Sequence, residues 1–192
     1  MAAILLSGCG DSAGSSFEEG DPVRAPVLWS RPIDGIEAVT AADGTVFVAG
    51  WTFAAYDLAT GEPVWEDVGD GDHAFEASGG VEIEVSPGTV RVFAPFEYLV
   101  TLDRSTGRVL ELDRRVGEEP PASFVPTTLE VSGLYDVEFQ FDEVIGRDND
   151  GSVVWRTRTG PPEYDSRGPY AAGDHTIVVT AAPELIVIGP RR

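Results

Sequence analysis

Lysine is absent from this chain: all thirteen basic residues are arginine, set against 33 acidic ones for a formal net charge of −20. A surface so poor in positive charge repels phosphate backbones and anionic lipid headgroups. That argues against nucleic acid as a partner and against a basic patch as a membrane anchor. Cysteine occurs once, at Cys9, which excludes an intrachain disulfide, a Cys-based zinc site and a CxxC redox pair. Long apolar runs are missing too, since none approaches the roughly 18 residues that span a bilayer as a helix. Histidine occurs only at His73 and His175, too far apart in sequence to form a catalytic constellation by themselves. Neither a Gly-x-Ser-x-Gly nucleophile elbow nor a Walker phosphate loop is found.

What is present fits one folded domain. The chain has 192 residues, of which 42% are hydrophobic, enough for a real core and too few for two large domains. Its 22 glycines and 14 prolines are spread along the chain and interrupt every run that could become a long helix. The surplus acid reads as a solvated, monodisperse surface.

The one cysteine stands in a telling place. Leu6-Ser7-Gly8-Cys9 resembles the lipobox of bacterial lipoproteins: an aliphatic residue, two small residues, then Cys. That resemblance implies cleavage just before Cys9 and a diacylglycerol on its sulfur. The polar, Gly/Ser-rich stretch from Gly10 onward suits a flexible tether, with an r.m.s. reach of about 20–25 Å. The apolar stretch before it, Ala2 to Leu6, is shorter than a secretory signal needs and has no basic residue ahead of it, which leads us to expect a start upstream of Met1. The expected organisation is a signal remnant and lipobox over 1–9, a tether over 10–25 and a folded domain over 26–192.

Within that domain one pattern returns. Phe53 to Glu66 reads FAAYDLATGEPVWE. Asp57 is placed to hydrogen-bond its own turn and Gly61 to supply positive φ, so the stretch predicts a β-hairpin that leaves through Pro63-Val64-Trp65. Weaker copies follow at VTLDRSTGRVLEL, with Asp103, Thr106 and Gly107 in register and Glu111 in place of the tryptophan, and at VIGRDNDGSVVW, with Asp148, Gly151 and Trp155. A partial copy, Pro26-Val27-Leu28-Trp29, stands at the front. Alternating strands recur at the same period: AADGTVFVAG, VSPGTVRVF, VSGLYDVEF and AGDHTIVVT. Periods of about 40–50 residues with several short strands each predict the blades of a β-propeller. One blade cannot cover its own faces, and a tryptophan on the outgoing strand suits the wedge between blades.

The pattern Asp-x-x-Thr-Gly-x-x-x-Trp, preceded by a Gly-Thr-Val strand, resembles the repeat of quinoprotein-like (PQQ-like) β-propellers. The fold expected is all-β, about four blades of four antiparallel strands. The last copy lacks an outgoing strand and the first copy is only an outgoing strand, so the N-terminal strand is expected to complete the last blade and close the ring. The alternative is half of an eight-bladed ring, the commoner size in the family.

Candidate chemistry is thin. The family's dehydrogenases use eight blades, a disulfide between adjacent cysteines and a calcium; here there is at most half such a ring and the one thiol is placed in the lipobox, so no cofactor is expected and the chain is read as non-enzymatic. Asp148-Asn149-Asp150-Gly151 has calcium-like spacing but lacks the further ligands of such a loop and falls in register with Asp57 as a hairpin turn. Asp70, Asp72 and His73 could hold a metal, though an acidic linker explains them as well, and His175 reads as a turn residue. Glu82 and Glu84 share one face of VEIEV; on an innermost strand they would approach a central channel and could bind a cation, and otherwise they form an exposed face. Trp51, in GWTF, is either an exposed anchor for a partner or inter-blade core.

These readings converge on an exported, monomeric module, held by lipid on Cys9 at the outer face of the bacterial cell membrane, that binds or scaffolds an envelope protein through its loops. The resemblance extends to a propeller lipoprotein of outer-membrane assembly machinery. The alternative is a propeller that binds a small molecule or ion, or a degenerate quinoprotein-like enzyme.

Overall fold

The computed structural model describes residues 23–24, 27–33, 35–68, 80–114, 116–129, 136–140, 143–147, 150–158, 167–172, 175–180 and 184–189. Among them every regular element is a strand, sixteen in all, in four sheets. Sheet I is a meander of β3 (Ala38–Ala42), β4 (Thr45–Ala49), β5 (Phe53–Asp57) and β6 (Pro63–Val68). Sheet II repeats it with β7 (Glu82–Val85), β8 (Thr89–Ala94), β9 (Tyr98–Asp103) and β10 (Val109–Asp113). Sheet III holds β11 (Asp136–Gln140), β12 (Glu143–Arg147) and β13 (Val153–Arg158), and sheet IV holds β14 (Arg167–Ala172), β15 (His175–Thr180) and β16 (Glu184–Ile188).

Sheets III and IV are each finished by a strand from the N-terminal end of the chain. β2 (Val27–Pro32) lies antiparallel to β16, with Trp29 opposite Val187 and Ser30 opposite Ile186. The N-terminal strand thus completes the C-terminal blade, as the two complementary defects in the repeat require. β1 (Val23–Arg24) runs parallel to β13, Val23 opposite Trp155, so the fourth strand of sheet III is parallel where the repeat leads one to expect antiparallel.

Sheet I shows why β4 and β5 read as apolar runs rather than as alternating strands. Phe47, Ala49, Phe53, Ala55 and Trp65 face sheet II and pack with Ile83, Val90, Val92, Tyr98, Val100 and Leu102. Val46, Val48, Ala54 and Tyr56 face the other way and pack with Trp29, Ile177, Leu185 and Val187 of sheet IV. Successive side chains on a strand point to opposite faces, so inner strands covered on both sides bury consecutive residues, Val46 to Ala49 and Phe53 to Tyr56.

The repeated turn is built alike in sheets I and II. Oδ1 of Asp57 accepts from the Thr60 amide at 2.8 Å, the Thr60 hydroxyl at 2.8 Å and the Ala59 amide at 3.1 Å. Oδ1 of Asp103 accepts from the amides and hydroxyls of Ser105 and Thr106, all within 3.0 Å. Gly61 and Gly107 close these turns with φ of +71°, a region an L side chain occupies only at a cost of about 1–2 kcal/mol.

Each turn also seats a tryptophan from the sheet before it. The Trp29 Nε1 donates to the Leu58 carbonyl at 2.9 Å and the Trp65 Nε1 to the Arg104 carbonyl at 2.8 Å. Their indoles lie on the α-carbons of Gly61 and Gly107, where a Cβ would come within 2.6 Å and 2.8 Å of ring carbons. The aspartate shapes the turn, the glycine lets the ring approach, and the ring fills the wedge. Arg31 of β2 adds a hydrogen bond to the Gly61 carbonyl at 2.8 Å and lies over the Tyr56 ring.

Candidate functional site

The free edges of sheets I and II, β3 and β7, approach each other, and the chain after sheet II passes between them. The Thr127 amide donates to the Ile83 carbonyl at 2.7 Å, its hydroxyl accepts from the Val85 amide at 2.7 Å, and its carbonyl accepts the buried Thr40 hydroxyl at 2.7 Å. One residue thereby satisfies edge groups of two blades.

A cavity of about 280 Å³ opens beside this bridge, lined by Glu37, Thr40, Glu82, Thr127 and Thr128 among others. Glu82 and Glu84 part company there. Glu84 accepts from Arg91 at 2.7 Å, and Arg91 also donates to the Ser123 carbonyl at 3.1 Å and lies over the Phe124 ring. Glu82 lines the cavity, with Oε2 buried and without a hydrogen-bond partner. Sequence reasoning placed both carboxylates on one face and missed Arg91, which stands directly opposite Glu84 in the β7–β8 register. Among the described residues no group of three or more His, Cys, Asp or Glu could hold a metal ion.

Trp51 sits at the tip of the β4–β5 hairpin, 53% exposed and in neither core cluster. Its indole lies on the α-carbon of Gly35, which has φ of +64°. The equivalent tip of sheet II, between β8 and β9, carries Phe96, 69% exposed. Sequence reasoning did not single out Phe96, although it stands at the same place in its hairpin. Its φ is +60°, an uncommon conformation for a bulky residue, held by a hydrogen bond from its amide to the Gly117 carbonyl at 3.0 Å. Immediately after each tip comes a buried aromatic, Phe53 and Tyr98, whose rings meet edge-on at 6.1 Å. The two tips are therefore neighbours at one end of the packed sheets.

The electrostatics of the turns and the tips differ. Hydrogen bonds from the Thr60 hydroxyl and amide hold the Asp57 carboxyl below the usual carboxylate range, and those from the Ser105 and Thr106 hydroxyls do the same for Asp103. Burial pushes the Tyr98 phenol well up, and the carboxylates of Glu97 and Glu37 push it the same way. His175 opens β15, half-buried and opposite Ala172. Asp150 accepts from the Ser152 amide at 2.8 Å, in a turn where Gly151 has φ of +85°. Cys9, Asp70, Asp72, His73, Asp148 and Asn149 lie outside the described residues.

A family model, outer membrane protein assembly factor BamB, matches residues 21–122, more than half of the 192 residues. The chain belongs to this family. The match to the BamB family spans β1 to β10, the two blades whose turn-and-tryptophan interlocks are described above, and supports a PQQ-like repeat propeller. No curated protein matches the chain. Among solved structures, BamB from Moraxella catarrhalis is similar at 16% identity and a TM-score of 0.32, over 82% of this chain and 43% of that one. A quinohemoprotein alcohol dehydrogenase from Pseudomonas putida is similar at 21% identity and a TM-score of 0.38, over 73% of this chain and 24% of that one. The computationally designed Ika4 protein is similar at 16% identity and a TM-score of 0.35, over 65% of this chain and 66% of that one. The chain spans less than half the length of the Moraxella protein.

Proposed function

We propose that this chain is a non-enzymatic propeller scaffold of the bacterial envelope, held to the outer face of the cell membrane by lipid on Cys9, that offers one end of its blades to a protein partner. The observation that carries the reading is Trp51, an indole 53% exposed on the tip of a hairpin whose strands are buried on both faces. A rigid body with exposed loop residues suits recognition, and the family name, assembly factor, accords with a scaffold. Four blades closing in one monomer is part of the proposal. What supports it is the pairing of β2 with β16 inside a single chain, at the edge that a second copy would otherwise have to cover.

The test compares wild type and Cys9→Ser by crosslinking pull-down from intact cells, with mass spectrometry of the N-terminal peptide and light scattering of the purified domain. A diacylglycerol adduct, a discrete protein partner lost in Cys9→Ser and a monomeric mass are expected. An unmodified Cys9 removes the anchor, and a dimeric mass restores the eight-bladed alternative. A second reading, a small cationic ligand in the cavity between β3 and β7, is favoured by the unpartnered Glu82 Oε2. Calorimetry with calcium and with a primary amine, on wild type and Glu82→Gln, separates the two.

A further inference from the structure

We infer that Trp51 and Phe96 form one docking surface, and that its occupant is a protein segment carrying arginine or lysine among apolar side chains. The inference rests on the scaffold reading and adds to it the surface and the chemistry of the partner.

Two large aromatics at equivalent hairpin tips, 53% and 69% exposed, each stand two residues before one of the joined rings of Phe53 and Tyr98. Exposed apolar residues scattered singly need no explanation, whereas large aromatics repeated at the same end of two packed sheets are what interfaces use. Phe96 keeps its left-handed backbone although a glycine or asparagine would adopt it at less cost, and strain of this kind gathers at functional sites.

Charge selects the occupant. The Glu37 amide donates to the carbonyl of Ala49, next to the first tip; Glu97 belongs to the second tip, and Glu118 and Glu119 follow the glycine whose carbonyl holds Phe96. Arg114 stands among them, and its field and those of Glu97 and Glu37 all reach Tyr98. An anionic bilayer and a second copy of a chain with net charge −20 both meet repulsion there. A basic segment meets complementary charge, and its guanidinium or ammonium groups can lie over the exposed rings.

The experiment places benzoylphenylalanine at Trp51 or Phe96, and as controls at Ala59 or Ser105 in the turns at the opposite end, in the full chain in cells, and sequences the crosslinked peptides. The expected result is one protein captured from positions 51 and 96 and not from 59 and 105, through a peptide with Arg or Lys beside apolar residues. With that partner purified, Trp51→Ser and Phe96→Asn each weaken binding roughly 30-fold while both variants keep the wild-type circular dichroism spectrum at the assay temperature, and added salt weakens binding further. An acidic or uncharged captured peptide, a lipid adduct or a self-crosslink overturns the inference. Capture only from 59 and 105 overturns it while leaving the scaffold standing, and no capture from any position removes both.

Discussion

Replacing Gly107 with alanine tests the blade interlock against an internal control. At Gly107 a Cβ would come within 2.8 Å of Trp65 Cδ2 and Val68 Cγ2 and 2.9 Å of Trp65 Cε3, at φ +71°. At Gly44 the φ is +76° and nothing lies within 4 Å. Gly44→Ala therefore carries the backbone penalty alone, about 1–2 kcal/mol. Gly107→Ala carries the same penalty and forces the indole off its seat, an overpacking cost of about 1–3 kcal/mol more. For a chain of this size the expected falls in melting temperature are about 3–6 °C and about 6–15 °C, read by circular dichroism or calorimetry. Introducing Gly107→Ala into a Trp65→Ala background closes the cycle. With the ring gone only the Val68 contact is left, so the extra cost should shrink toward that of Gly44→Ala. Equal effects at the two glycines, or a Gly107→Ala cost unchanged without the ring, would refute the interlock.

Trp65→Ala by itself should destabilise the protein by about 3–5 kcal/mol, since it removes a buried indole and strips the Arg104 carbonyl of its donor; chemical denaturation gives the value. Thr40→Val, nearly isosteric, should lose about 1–2 kcal/mol, because Thr40 is buried and its hydroxyl is the donor to the Thr127 carbonyl. The folded-state pKa values of Asp57 and Asp103 lie below the ordinary 3.8. Their stabilising contribution is therefore present above pH 3.8 and lost as pH falls through the lowered values. Denaturation measured from about pH 5 to pH 2 should show a shallower acid loss in Asp57→Asn and Asp103→Asn than in wild type.

The parts of the fold legible in the sequence were those written in local turn chemistry. Asp57, Thr60 and Gly61 act within five consecutive residues, so their pattern survives in a single chain, and the tryptophan follows at fixed spacing. The clasp was legible because two halves of one repeat unit stood at opposite ends. Thr127 was not: threonine in a polar stretch gives no sign that its amide, hydroxyl and carbonyl will serve edges of two sheets, a role set by which edges meet. The fate of Glu84 needed the register that puts Arg91 opposite it. Trp51 drew notice through its size, while Phe96 has only Pro95 before it as a turn signal, and counting from Trp51 finds it. β1, two residues long, is too short to show a period.

The order of synthesis runs against the order of the sheets. Sheets I and II are meanders of neighbours, and their strands can pair as soon as they emerge. Sheet IV cannot be finished that way, because β2 is made before every strand of that sheet and its partner β16 after them all. Bringing the two together closes a loop of about 150 residues, an entropic cost of about 4–5 kcal/mol before any contact offsets it. Until then β16 shows an open edge, the kind on which other chains add strands. A helper that shields that edge during biogenesis would be acting on the one seam the fold can only sew last.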